Sequence, residues 1–80
     1  MNVILDARKM DEKESAHQYL KRIFGFPEYY GNNLDALYDC LSEINDLNVH
    51  IIHAQDADNY FPRILSVFED LEDANVQQIH

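Results

Sequence analysis

The chain has 80 residues, with six Lys and Arg against 15 Asp and Glu, which gives a formal net charge of −9. This length predicts a single domain over residues 1–80, whose thin core leaves little room for a large enclosed pocket. The acidity argues against direct binding to nucleic acid or to an anionic membrane, because both need clustered Lys and Arg. A cation or a basic protein is the expected partner.

The charge is divided unevenly along the chain. Residues 1–22 hold five basic and four acidic side chains, whereas residues 23–80 hold one basic residue, Arg63, against 11 acids. The 46% hydrophobic content, with only two Gly and two Pro, indicates a packed globule rather than a disordered acidic chain. The single Cys40 cannot form an internal disulfide, and no segment resembles a signal peptide or a membrane span. We therefore expect a cytoplasmic protein.

The first two predicted elements are a strand and a helix. A continuous apolar run predicts a strand over about residues 2–7, of the kind that is buried on both faces. Asp11, with Glu14 three residues later, predicts a helix N-terminus with a capping box. Apolar residues then recur at helical spacing until Gly25 ends the helix.

The second half of the chain alternates between helices and strands, and Asn33 is the predicted N-cap of its first helix. Helices between strands favour a parallel sheet with right-handed crossovers, here with one face partly open, and so predict an α/β fold. The remaining predicted elements are a loop over 26–33, a helix over 34–44, a strand over 49–52, a helix over 61–71 and a short strand over 76–80.

The helix over 34–44 carries an unusual row of acids. If its apolar residues face inward, Asp35, Asp39 and Glu43 share another face at a spacing of four residues. Like charges at this spacing oppose the helix by about 0.2–0.5 kcal/mol per pair, and only Asp35 gains from the helix dipole. A solvated acidic face and a binding surface both remain open on this pattern. Tyr29 and Tyr38, which we expect to be exposed, favour binding because aromatic area beside charge is typical of hot spots.

The segment FPEYYGNNLDALYDCLSEI, residues 26–44, resembles the signature of the barstar family of intracellular ribonuclease inhibitors. The segment ILSVFEDL, residues 64–71, is similar to the last helix of that family. The resemblance implies a barstar-like α/β fold, a small three-stranded parallel sheet packed with about three helices. It also implies a protein without catalytic residues, cofactor or metal.

The resemblance further implies a one-to-one complex with a basic, barnase-like ribonuclease or a related toxin. In such a complex Asp39 enters the ribonuclease active site in place of a substrate phosphate, and Asp70 is a second contacting acid. The predicted partner-binding residues are Tyr29, Gly31, Asn33, Leu34, Asp35, Tyr38, Asp39 and Asp70.

The chain departs from the family pattern in its tryptophans and in its length, because the segment between the second strand and the last helix is shorter and leaves little room for an extra short helix of the family fold. It contains no Trp, and it has Tyr38 and Ile44 where a member of the family has tryptophans. An immunity protein for a toxin that is not a ribonuclease is therefore an alternative, because it would use the same acidic residues against another cationic site. A metal-binding or catalytic role for the acidic cluster is the other alternative.

Overall fold

The computed structural model describes residues 1–79, with three strands and three helices in the predicted order. The strands lie side by side as β1-β2-β3 and both pairs are parallel, so the predicted α/β fold is confirmed. Position 80, which ends the predicted last strand, lies outside the described residues. The elements are β1 (Asn2–Asp6), α1 (Lys13–Phe24), α2 (Leu34–Ser42), β2 (Leu47–Ile52), α3 (Phe61–Glu69) and β3 (Ala74–Ile79), with 3₁₀ turns at Ala7–Met10 and Ala54–Asp56.

One face of the sheet forms the floor of the core. Along β2, the side chains of Leu47, Val49 and Ile51 are buried and alternate with half-buried residues. The opposite face is partly open, as predicted, and Ile4 of β1 is 65% exposed there. The prediction that the first strand is buried on both faces is therefore wrong. An apolar run does not show whether a second layer covers the sheet, and the outer face of β1 has no such cover.

The helices contribute the other half of the core, and α2 packs against α3. Helix α2 stops two residues before the predicted end, since no glycine or basic residue stabilises its last turn. None of the helices within residues 1–79 has the length and apolarity to span a membrane. The fully buried helical side chains include Ala16 and Leu20 of α1, Leu37 of α2, and Ile64 and Phe68 of α3.

Asp11 caps a different helix from the one predicted. Helix α1 begins after Glu12, whose side chain makes no capping hydrogen bond, so the predicted capping box is absent. The Asp11 carboxylate instead accepts hydrogen bonds from the backbone N–H groups of Asn59, at 2.8 Å, and Phe61, at 3.1 Å. Burial alone would raise the pKa of Asp11, but these donors outweigh it and lower the pKa. Asp11 thus stabilises the start of α3, a long-range contact that local spacing does not reveal.

A buried histidine joins three parts of the chain. His17 of α1 is fully buried, with its Nδ1 2.6 Å from the Tyr30 hydroxyl and its Nε2 2.8 Å from the Tyr60 hydroxyl. A neutral imidazole donates from one nitrogen and accepts at the other, so the two hydroxyls satisfy both. Burial, and then the positive charge of Lys13, lower the pKa of His17. The network connects α1 to the loop before α2 and to the start of α3.

This network predicts a loss of stability in mild acid. The unfolded chain binds a proton at His17 as the pH falls below about 6.5, whereas the folded chain resists it until a lower pH. The free energy of unfolding should therefore decrease between about pH 7.5 and 5.5, as measured by urea denaturation. His17→Gln keeps one donor and one acceptor but does not titrate, so its pH profile should be flatter. An equally steep profile in this variant would contradict the assignment.

Candidate partner-binding surface

The loop over residues 26–33 contains two adjacent tyrosines, of which one is exposed to solvent and the other is buried. The Tyr30 N–H donates to the carbonyl of Pro27 at 3.0 Å, and the Tyr30 ring centroid lies 4.8 Å from that of Phe26. With its hydroxyl on His17 as well, Tyr30 is only 5% exposed, whereas Tyr29 is 88% exposed. Tyr29 therefore stands on a loop that is already anchored, which reduces the entropy lost when a partner orders it.

Asn33 connects this loop to α2 through the oxygen and the nitrogen of its side-chain amide. Its Oδ1 accepts a hydrogen bond from the Ala36 N–H at 2.8 Å, which confirms the predicted N-cap. Its Nδ2 donates to the carbonyl of Gly31 at 3.2 Å. A Cβ atom at Gly31 would lie 3.0 Å from this Nδ2, so a larger residue would disturb the cap. Gly31 and Asn33 thus fix the direction in which the loop enters the helix.

The outer face of α2 carries the predicted row of acids. Asp35, Asp39 and Glu43 are exposed, and within residues 1–79 none of them has a basic nitrogen within 4.0 Å. Tyr38, on the same helix, is 39% exposed, so the predicted exposure of both Tyr29 and Tyr38 is confirmed. Leu34 is half-buried and packs against the core, which ties the first turn of this face to the fold.

A first groove lies between the loop and α2, and it brings Tyr29 and Asp39 together. Burial, followed by the nearby carboxylates of Glu43 and Asp39, raises the pKa of the Cys40 thiol, which makes it a poor nucleophile. The groove can instead receive a basic side chain, with the apolar stem on the aromatic rings and the charged end on the carboxylates. Its lining residues include Phe24, Phe26, Tyr29, Asp39, Cys40 and Glu43.

A second groove lies where the end of α2 meets the connection between α3 and β3. Tyr38 and Ile44 line one side, and Glu72 and Asp73 line the other. Asp73 also accepts a hydrogen bond from the backbone N–H of Asp46 at 3.2 Å, which fixes the acidic side.

Asp70 follows α3 as its exposed C-cap residue. It lies two residues before the acidic side of the second groove but lines neither groove. The structure therefore groups Asp39 with Tyr29, and Asp70 directly precedes Leu71, which lines the second groove.

A third, more open depression lies at the start of α2. Asp35 lines it together with Asn33 and Leu34, and two basic residues, Lys13 of α1 and Arg63 of α3, lie on its other sides. Local sequence spacing does not predict this neighbourhood. Arg63 could have been found as the single basic residue after position 22, but its position beside Asp35 depends on the packing of α3.

These features form an open surface rather than an enclosed pocket. Within residues 1–79 the carboxylates of α2 are exposed and have no basic nitrogen within 4.0 Å, aromatic side chains flank them, and the grooves are open to solvent. In the part of the chain that the structure describes, no three His, Cys, Asp or Glu side chains are placed to hold one metal ion. The surface is thus an exposed patch of acidic and aromatic side chains.

A comparison with models of protein families identifies the family of this domain. The family model described as "Barstar (barnase inhibitor)" matches residues 1–79, so the chain belongs to the barstar family. The chain is also 44% identical over 50 residues to a Bacillus subtilis (strain 168) protein named "Putative ribonuclease inhibitor YrdF". That match covers 62% of this chain and 55% of the relative, so this chain spans just over half the length of that relative.

The two hydrogen bonds of Asn33 can be separated by substitution. Asn33→Ala removes the cap of α2, so we expect it to lower the free energy of unfolding by roughly 0.5–2 kcal/mol in urea denaturation. Asn33→Asp keeps the capping oxygen and loses the amide donor to Gly31, so it should retain most of the stability. Equal losses in the two variants would show that the cap is not the stabilising contact.

Proposed function

We propose that this protein inhibits a basic ribonuclease, without catalysing a reaction itself, by covering the active site of the enzyme in a one-to-one complex. The observation that carries the proposal is the exposed Asp39 carboxylate, without a basic partner in residues 1–79, beside the exposed Tyr29 on the segment that carries the family signature. Membership of the barstar family and the name of the Bacillus subtilis relative support it.

Asp39 supplies the central contact in this proposal. A ribonuclease holds the phosphate of its substrate with Arg, Lys or His side chains, and a carboxylate can accept the same charge-assisted hydrogen bonds. Asp39 has no basic partner within 4.0 Å in the described residues, so its oxygens are available. Burial of this charge in a complex is costly unless it is paired, and the basic groups of the enzyme supply that pairing.

The other predicted residues surround this contact. Asp35 adds a second carboxylate on the same face, one helical turn before Asp39. Tyr29 and Tyr38 are the exposed aromatic residues that exclude water around the charged pair. In the proposed complex Asp70 and the residues that follow α3 meet the enzyme at the margin, where contacts are weaker because water remains.

The net charge of −9 adds long-range attraction to this surface. A basic enzyme is drawn to the acidic side of the chain before contact, which raises the association rate. Fast capture suits an immunity protein that protects the producing cell from its own ribonuclease in the cytoplasm, and we include this role in the proposal. An immunity protein for another toxin with a cationic active site is the second candidate, favoured by Tyr38 and Ile44 at positions where a family member has tryptophans.

Residual activity across a panel of barnase-like ribonucleases tests the proposal directly. We expect stoichiometric inhibition of at least one enzyme, and Asp39→Ala should weaken that complex by about 2–5 kcal/mol because it leaves the enzyme's cations unpaired. The same substitution should leave the stability unchanged or slightly raised, since it relieves like-charge repulsion along α2. Asp58→Ala, which removes an exposed carboxylate outside the three grooves, is the matched control.

Two outcomes would contradict the proposal at different levels. If no ribonuclease in the panel is bound, the ribonuclease target is wrong and the second candidate is favoured, whereas binding without inhibition would show that the chain does not cover the active site. If Asp39→Ala and Asp58→Ala bind an inhibited enzyme as tightly as the unaltered chain, inhibition does not depend on Asp39.

The salt dependence of association tests the electrostatic part separately. Exposed charges are screened over about 10 Å at 0.1 M salt, so the association rate should fall steeply between about 0.05 and 0.5 M. Stopped-flow mixing of the chain with its target measures this rate. A rate that does not change with salt would mean that the acidic face of α2 is not the docking surface.

A further inference from the structure

The one basic residue after position 22 lies beside the acidic face rather than away from it. Arg63 is in the first turns of α3, and it lines the depression at the start of α2 together with Lys13, 50 residues earlier in the chain. Asp35, a predicted contact residue, lines the same depression. The surface that attracts a basic partner therefore carries two positive charges at one end.

Neither cation forms an ion pair with another side chain within residues 1–79. In the region from 1 to 79, no carboxylate oxygen lies within 4.0 Å of the Lys13 ammonium or the Arg63 guanidinium, and both side chains are exposed. Both charges do act on neighbouring groups of the core, because Lys13 helps to lower the pKa of the buried His17 and Arg63 opposes the rise that partial burial causes in the pKa of Tyr60. Each cation is thus placed beside a group that the core fixes.

The positions of these two cations matter because the proposed partner is also positively charged. A cation brought against a cationic active site costs binding energy, so Arg63 would oppose the proposed complex if it met only basic groups. It would favour the complex if an acidic side chain of the enzyme lay opposite it. The planar guanidinium suits this contact, because its donors match the two oxygens of a carboxylate.

We propose that Arg63, assisted by Lys13, binds a carboxylate of the target ribonuclease at the margin of its cationic active site. This inference rests on the proposed inhibitor function and adds an orientation to it. The carboxylates of α2 meet the basic centre of the enzyme, and the start of α2 meets an acidic group at its edge. A basic protein that lacks an acid at this position would be attracted but would not fit.

Two charge reversals of equal size separate this contact from general attraction. Arg22→Glu changes an exposed residue of α1 that lines none of the three grooves but lies near Phe26 at the edge of the first, and Arg63→Glu makes the same change beside Asp35. Long-range attraction alone predicts faster association with a basic ribonuclease for both variants. The proposed contact predicts that Arg63→Glu instead raises the Kd about tenfold or more, through faster dissociation, while Arg22→Glu binds as well as or better than the unaltered chain.

Arg63→Gln provides a second variant that removes the charge without reversing it. It should weaken the complex in the same direction but less, and urea denaturation verifies that each variant is folded before its rates are compared. If the unaltered chain inhibits a ribonuclease and both Glu variants associate faster and bind more tightly, the Arg63 contact is overturned and the inhibitor function stands. If the unaltered chain binds no ribonuclease, the proposed function fails and this contact fails with it.

Discussion

The hydrogen-bonded histidine in the core is the interaction on which the arrangement of the binding surface depends. His17 joins the hydroxyl of Tyr30, in the loop before α2, to that of Tyr60, at the start of α3. A satisfied polar network inside a thin core specifies one arrangement of the elements around it, because any displacement leaves a buried donor or acceptor unpaired. Tyr30 is held inside, so Tyr29 is presented outside, and the loop enters α2 at the position where Asn33 caps it.

The fold also separates apolar surface from charge. Asp6 is the one charged residue in the three described strands, and it forms an ion pair with Arg8 at 3.0 Å. The other acids lie on helices and connections, where they do not compete with the core. On α2 the like charges oppose the helix, and the burial of Leu37 and Leu41 with the Asn33 cap offsets that repulsion. The helix is therefore stable enough to hold unpaired carboxylates in place for a partner.

The sequence predicted the features that depend on neighbouring residues and missed those that depend on packing. The Asn33 cap and the exposure of Tyr29 and Tyr38 are confirmed, since they follow from local spacing and from turn chemistry. Asp11 was assigned to the wrong helix because its partners are about 50 residues away in the chain. The exposure of Ile4 was missed for a related reason, since an apolar run carries no information on how many layers the sheet has.

Selectivity requires more than the acidity that was evident from the composition. A net charge of −9 attracts any basic protein, so attraction raises the rate of encounter without choosing among partners. Selectivity comes from groups that stabilise one arrangement of the complex and destabilise the others. Arg63 is such a group in the proposed complex. It lies in the same depression as Asp35, where it repels a cation of the partner and attracts an acidic side chain. The acidic face would then determine the association rate, and the mixed charges at the start of α2 would determine which partner dissociates slowly.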